Sequence, residues 1–307
     1  MAKKAWLFFI IVLLAACTTP QQNNTTQAGI MKFPYNRPLN IAHRGARSVA
    51  PENTLLAAQK GYELHADLWE LDVAMTSDAE LVVLHDETLK RTSNAKQLFP
   101  KQSPWNVDAF TLAELRTLDF GSWYVQTDPF GQIKAGVVSA GEQQTMQNTP
   151  IPTLREALLY TKENNWQVNV ELKDLSGTPG DADVVERTVA LIQELDMVEQ
   201  VIISSFNHSY LVRVKQADPN LKTAALIEKM VADPLKLLQD LDAQALNPSH
   251  KILGDLSVIR TLRDAGYDVN VWTVNDADLM IKLINAGASG IITDYPQVMN
   301  EVMKAYE

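Results

Sequence analysis

The 307-residue sequence predicts an α/β protein built on a (β/α)8 barrel. Three observations lead there. Short apolar runs alternate with helix-patterned segments, which is the arrangement of a parallel sheet covered by helices. Two of the nine runs are too close in the chain for a parallel crossover, which leaves eight parallel strands. Polar and charged residues collect at the C-terminal ends of the runs, where a barrel gathers its functional groups.

The runs come in this order. Leu39 to Ala42 is the first strand, and Thr54 to Leu64 the first helix, with Thr54 as its N-cap. Leu68 to Ala74 and Leu81 to Leu84 follow, separated by about seven residues that include Thr76-Ser77-Asp78-Ala79. A parallel crossover needs about a dozen residues or more, so these two form an antiparallel hairpin and the second is an excursion from the barrel. A helix begins near Thr153. The remaining strands are Gln167 to Leu172, Val201 to Ser204, Thr223 to Leu226, Ala243 to Leu246, Val269 to Val274 and Gly290 to Thr293, with helical segments between them. Residues 87–152 form an insertion after the second barrel strand and its hairpin. The insertion is too long for a plain loop and carries Trp105, Phe120, Trp123, Tyr124 and Phe130, so it is expected to pack over the barrel mouth as a subdomain.

Composition bounds the function. With 46% apolar and 21% charged residues the chain is globular rather than disordered, and 13 Gly with 14 Pro exclude collagen-like or low-complexity architecture. A single Cys excludes an internal disulfide and any Cys-based zinc site. Thirty-seven acids against 27 bases argue against nucleic acid as a partner, because binding it rests on clustered Lys and Arg.

The first residues read as an address. Lys3 and Lys4 precede an apolar run from Trp6 to Ala16, half of the roughly 20 residues a membrane-spanning helix needs. The run ends Leu14-Ala15-Ala16-Cys17, a lipobox, with the chain's one Cys where lipidation requires it. Residues 1–16 are therefore expected to be a signal peptide, 17–36 a lipidated flexible tether and 37–307 the barrel domain. The mature chain would have 307 − 16 = 291 residues and a formal charge of 25 − 37 = −12. Thr18, rather than Asp, after the Cys suggests a cell-envelope lipoprotein sorted to the outer membrane and facing the periplasm.

The strand ends carry the chemistry. The first offers His43-Arg44-Gly45 and then Pro51-Glu52-Asn53-Thr54. Glu70 and Asp72 are two apart on one strand and share a face, as do Glu171 and Lys173. The hairpin returns to His85-Asp86, and later ends offer Ser205-Phe206, Asn247, Trp272 and Asp294. Glu70, Asp72 and Glu171 would repel one another if left bare. An all-oxygen set suits one hard divalent cation, Ca²⁺ or Mg²⁺. With that cation, Arg44 and Lys173 make the rim positive and favour a phosphate. His43 and His85 are the natural acid–base pair. His65 and His208 read as surface residues, and His250 as a candidate for the pocket wall.

Taken together these motifs, with Val83-Leu84-His85-Asp86, Val271-Trp272-Thr273-Val274 and Thr293-Asp294-Tyr295-Pro296, resemble the glycerophosphodiester phosphodiesterase family from about Ile41 to Asn300. Within the insertion the resemblance extends to Thr111–Leu115, Asp119–Trp123 and Ile151–Leu154. It implies a metal-dependent barrel enzyme that cleaves glycerophosphodiesters, such as glycerophosphocholine and glycerophosphoethanolamine, to sn-glycerol 3-phosphate and an alcohol. It further implies that Glu70, Asp72 and Glu171 hold the metal, with Glu52 beside or behind them. His43 and His85 would act as general base and acid. Arg44 and Lys173 would serve the phosphate, and Phe206 and Trp272 would wall the glycerol. Two other readings remain: a phospholipase D-like or phosphoinositide-type lipase on the same barrel, which would need an exposed apolar rim, and a lipid-anchored binding protein or adhesin without catalysis. The second should have lost a metal carboxylate or a histidine, and none is lost.

Overall fold

A computed structural model of the chain describes Met1 and residues 37–306. Residues 2–16 of the predicted signal peptide, Cys17 and the rest of the tether lie outside the described residues.

The chain enters through β1 (Leu39–Ala42), α1 (Leu55–Glu63), β2 (Leu68–Met75) and β3 (Leu81–Val83). The insertion carries four short helices, α2 (Ala95–Leu98), α3 (Leu112–Leu115), α4 (Ser122–Thr127) and α5 (Ala140–Met146). Strands and helices then alternate to the end: α6 (Leu154–Glu163), β4 (Val168–Leu172), α7 (Val184–Glu194), β5 (Val201–Ser205), α8 (His208–Ala217), β6 (Lys222–Ile227), α9 (Pro234–Leu241), β7 (Ala245–Pro248), α10 (Ser257–Asp264), β8 (Asp268–Val271), α11 (Ala277–Asn285), β9 (Gly290–Thr293) and α12 (Pro296–Met303).

Eight strands pair in parallel in the order β1, β9, β8, β7, β6, β5, β4, β2, and the β1–β2 pairing closes the ring. β3 pairs antiparallel with the C-terminal half of β2, Met75 opposite Leu81 and Val73 opposite Val83. The hairpin inferred from the short spacing is thus present. Helix starts follow local chemistry. The Thr54 hydroxyl accepts from the Ala57 N–H at α1, and Thr111, Ser139 and Thr153 each form a capping box with a Glu three residues on. Several strand boundaries differ from expectation by one to three residues, and two of these differences bear on the loops. β7 begins at Ala245 rather than Ala243, because Asp242 ends α9 in a left-handed conformation and the Ala243 N–H still bonds to Leu238. β8 ends at Val271, so Trp272 stands just beyond the strand.

The two-residue period of the strands sorts the side chains. Trp69, Leu71 and Val73 of β2 face the helices and join the large core between sheet and helices. Leu68 faces inward and joins Leu39, Ile41, Ile202, Ala224, Ala245 and Ile292 in the barrel interior. Gly290 belongs to this tight interior. A Cβ there would lie 2.7 Å from Asn270 Oδ1 and 2.9 Å from Ile41 Cδ1. Gly290→Ala is therefore expected to lower stability by about 1–3 kcal/mol, the usual cost of overpacking. A lowered urea midpoint with unchanged slope would confirm it, and an unchanged midpoint would contradict it.

The insertion lies at the mouth without a separate core of its own. One part joins the hairpin, packing Leu89, Phe110, Leu115 and Phe120 against Val82 and Leu84. The other packs Tyr124, Val138 and Met146 against Ala50 and Ala57 of the first loop and helix. The Tyr124 hydroxyl donates to the Ser48 carbonyl in that same loop. Among the described residues no helix is long and apolar enough to cross a membrane.

Candidate active site

At the C-terminal end of β1 the chain must turn sharply into α1. Arg44 (φ 54°) and Gly45 (φ 79°) both adopt the left-handed region. A Cβ on Gly45 would sit 2.5 Å from the Ala57 carbonyl carbon, so only glycine lets the loop press this closely on α1. The turn aims the Arg44 N–H at Glu70 Oε2, 2.8 Å away.

The inward period of β2 and β4 places three carboxylates together. Glu70, Asp72 and Glu171 are buried, each offering an oxygen, and these oxygens lie within 4.8 Å of one another. Asn53 donates to Asp72 Oδ2 at 2.8 Å, and Lys173 donates to Glu171 Oε1 at 2.7 Å and lies 3.5 Å from Asp72 Oδ1. Burial pushes the Glu70 and Glu171 carboxyls above their ordinary range, and the charge of Asp72 adds to it. Burial also pushes Asp72 upward, but Lys173 and Arg44 outweigh it and hold that carboxyl low. Asp72 Oδ1 is buried with no hydrogen-bond partner among the described residues. A hard cation fits this site: it would satisfy that oxygen and remove the mutual repulsion of an all-carboxylate set.

Glu52 does not belong to this trio; of the two places expected for it, beside or behind the carboxylates, it stands behind them, connected through Arg44, whose Nε lies 3.4 Å from Asp72 Oδ2. Its carboxylate accepts from Arg44 Nη1 at 2.7 Å and from Arg91 at 2.7 and 2.9 Å, and Arg47 Nη2 lies 3.0 Å away. Burial pushes its carboxyl up, yet the Arg91 hydrogen bonds and the charges of Arg44 and Arg47 override that and hold it at about 2. With its oxygens bound by three guanidiniums, Glu52 has no capacity left for a cation.

Both histidines carry a carboxylate on Nδ1. Asp294, at the end of β9, lies 2.6 Å from His43 Nδ1 and is itself held by Asn275 Nδ2 at 2.7 Å. Asp86 lies 2.8 Å from His85 Nδ1. A carboxylate at Nδ1 selects the tautomer that leaves Nε2 free to exchange a proton. Burial, with Arg44 beside it, pushes the His43 imidazole below its ordinary value despite the pull of Asp294. His43 is thereby kept neutral and able to accept.

His43, Arg44, Glu70, His85, Phe206 and Trp272 all line one cavity of about 220 Å³ at the barrel mouth, together with Glu171 and Lys173. The Phe206 and Trp272 rings meet edge to face with centroids 5.5 Å apart, and Trp272 Nε1 donates to the Asn247 carbonyl. The other histidines lie elsewhere. His65 is exposed at the opposite end of the barrel, as expected. His250 backs Trp272, with its N–H on the Trp272 carbonyl, and does not line this cavity. His208 is half-buried rather than a surface residue, its Nε2 3.0 Å from the Leu226 carbonyl, which pins α8 to β6. Sequence reasoning noted Asp294 and Asp86 without giving them roles, and it passed over Arg47 and Arg91. The adjacency of Asp86 to His85 was the one available signal.

Residues 43–298 match the model of the glycerophosphoryl diester phosphodiesterase family. The chain is 35% identical over 269 residues to a glycerophosphodiester phosphodiesterase of Caldanaerobacter subterraneus subsp. tengcongensis, covering 87% of this chain and 98% of that one. It is 34% identical over 282 residues to the Bacillus subtilis glycerophosphodiester phosphodiesterase, covering 88% of each. Its fold superimposes on that of an Oleispira antarctica phosphodiesterase solved with the product sn-glycerol-3-phosphate, with a TM-score of 0.69, 28% identity and coverage of 86% and 96%. A crystal structure from Silicibacter pomeroyi shares the fold with a TM-score of 0.76 at 24% identity, covering 89% of this chain and 95% of that one. The chain belongs to the glycerophosphoryl diester phosphodiesterase family, and it is an enzyme of that kind, a phosphodiester hydrolase.

Proposed function

We propose that this enzyme hydrolyses small glycerophosphodiesters to sn-glycerol 3-phosphate and an alcohol, with one Ca²⁺ or Mg²⁺ held by Glu70, Asp72 and Glu171. The observation that carries this reading is the convergence on one cavity of Arg44, two Nδ1-anchored histidines, and Glu70 and Glu171, with Asp72 buried beside those two carboxylates. The bound cation would supply charge neutralisation at the phosphate. The chain's own groups do the rest. Arg44 holds the phosphate, and Lys173 supports it by charge. His43, neutral and buried, takes the proton from the attacking hydroxyl. His85 gives one to the departing alkoxide. Trp272 and Phe206 exclude water from the glycerol carbons.

A second cavity of about 310 Å³ adjoins the first and shares His85, Glu171, Lys173 and Phe206 with it. His85 thus lies between the two spaces, which suits it to protonate a leaving group departing into the second. Asp86, Glu87, Asp108 and Asp174 line that second space, with Lys173 as its only lysine or arginine among the lining residues. This balance favours cationic alcohols, choline and ethanolamine, over anionic ones. The test is release of glycerol 3-phosphate from glycerophosphocholine, glycerophosphoethanolamine and glycerophosphoinositol, with and without chelator, beside intact phosphatidylcholine. Turnover of the two cationic diesters that stops on chelation and returns with Ca²⁺ or Mg²⁺ is expected. Faster turnover of the intact lipid would favour a lipase, and no turnover of any substrate a binding protein.

We further propose that Cys17 is lipidated and that the enzyme sits in the cell envelope as a lipoprotein facing the periplasm. Support comes from the lipobox and from where the domain is joined to the preceding residues. Arg37 pairs with Asp67 at 2.8 and 2.9 Å, just before β1 and at the barrel end opposite the catalytic cavity. An anchor attached there leaves the mouth free for soluble substrates. Cys17→Ser should move the enzyme from the membrane to the soluble fraction with kcat unchanged. Retention in the membrane after the pre-sequence has been cleaved would contradict the lipidation.

A further inference from the structure

We propose that Arg91, carried by the insertion, is a positioning residue that fixes His85 in its working orientation and ties it to the loop bearing Arg44. The proposal rests on the role given above to His85. The argument is one of connectivity. The Arg91 guanidinium donates twice to Asp86, from Nε to Oδ2 and from Nη2 to Oδ1, both at 2.8 Å. It also donates twice to Glu52, at 2.9 Å from Nη1 and 2.7 Å from Nη2. Asp86 Oδ1 is the atom that meets His85 Nδ1, and Glu52 Oε1 is the atom that accepts from Arg44 Nη1. One planar fork therefore joins the residue after the hairpin to the loop after β1. From Glu52 the connection runs on through Arg47 at 3.0 Å, whose Nε is 3.7 Å from Asp294, the partner of His43.

Arg91 lines neither cavity, so it acts through Asp86 and Glu52 rather than on substrate. Its guanidinium packs over the Trp123 ring, 5.8 Å from the centroid, which fixes its plane from the insertion side. The two ends of the fork differ in how much depends on them. Glu52 keeps Arg44 and Arg47 if Arg91 is lost, so the phosphate-binding guanidinium stays held. Asp86 is half-exposed, and with Arg91 gone no other hydrogen bond to its carboxylate remains apart from that of His85 among those described. The pair could then swing together, and the His85 ring would lose its fixed direction. A lysine cannot replace the fork, because one ammonium cannot make two parallel pairs to two carboxylates in one plane.

The test is a double-mutant cycle on the full enzyme with glycerophosphocholine as substrate. Arg91→Met should lower kcat by about 10–100-fold, the usual effect of losing a group that orients a catalytic histidine, with little change in KM. Arg91→Lys should recover little of it. On a His85→Ala background the same Arg91→Met change should cost less than about twofold, because the group it orients is already absent. A p-nitrophenyl diester, whose leaving group needs no proton, should be cleaved by Arg91→Met at near wild-type rate. An equal fold loss on both backgrounds would overturn the proposal. General loosening of the fold would produce that same equal loss, so it counts against the proposal as well. A wild-type kcat for Arg91→Met would also overturn it. If His85→Ala alone keeps full activity, the acid role itself fails, and that single variant separates the two failures.

Discussion

Replacing either His43 or His85 by alanine is expected to lower kcat by about 10²–10⁴-fold, the range that a positioned general acid or base contributes. KM should change much less, because Arg44 and the carboxylate trio remain in place. The double variant should lose less than the product of the two singles, since groups serving one proton path are not additive. Asp294→Asn should approach the His43→Ala loss, because an amide at 2.6 Å from Nδ1 no longer selects the tautomer with Nε2 free. His65→Ala, at the far end of the barrel, should match wild type. A nitrophenyl phosphodiester separates the two roles. With it His85 should become nearly dispensable while His43 stays essential. Equal damage by both substitutions on both substrates would refute the division of labour and leave two imidazoles that merely bind phosphate.

The carboxylate trio should show activity and stability moving in opposite directions. Glu171→Gln or Glu70→Gln is expected to weaken divalent-cation binding by about 10²-fold or more, since ligand charge count sets the affinity of such sites. The same variants should unfold at a higher temperature than wild type in chelator, because one buried carboxylate no longer faces two others within 4.8 Å. Loss of both activity and chelated stability would show the trio to be a structural ion-pair cluster with Arg44 and Lys173.

The pH dependence of stability follows with a definite sign. Glu70 and Glu171 have raised carboxyls in the fold. Without metal, the folded state therefore binds protons more tightly than the unfolded chain, and its stability falls as pH rises through those raised values. A cation binds the ionised form, so the rise in Tm that Ca²⁺ or Mg²⁺ produces should grow as pH rises above the ordinary carboxylate range, with proton release on binding. Glu52 and Asp294 act oppositely, with carboxyls held at about 2, and their contribution is lost only as pH falls below the ordinary carboxylate range. A metal-induced shift that is flat in pH would show that no ligand proton is displaced.

How far the site was legible depends on the kind of relation. Glu70 with Asp72, and Glu171 with Lys173, are related by the strand period, and a period of two is enough to place them on one face. His43, His85 and Trp272 were legible as strand ends. Whether Glu52 stands beside the carboxylates or behind them was not legible, because Pro51-Glu52-Asn53-Thr54 sits at the site whether its carboxylate meets a cation or an arginine. Arg91 follows His85 by six residues in a polar stretch with no periodicity, and nothing local distinguishes it from a solvated loop arginine.

The sequence by itself determined the closed eight-stranded barrel, the hairpin excursion, the shared strand face that carries Glu70 and Asp72, and the helix starts at Thr54 and near Thr153. These depend on side-chain period, loop length and capping, all of which act within about a dozen residues. The tertiary structure alone decided which charges pair. Asp294 reaches His43 across 251 positions, and Arg91 reaches Glu52 across 39. Ion pairing depends on distance in space and on how much water remains between the partners. Both are set only when the loops of β1, the hairpin, the insertion and β9 meet at one end of the barrel.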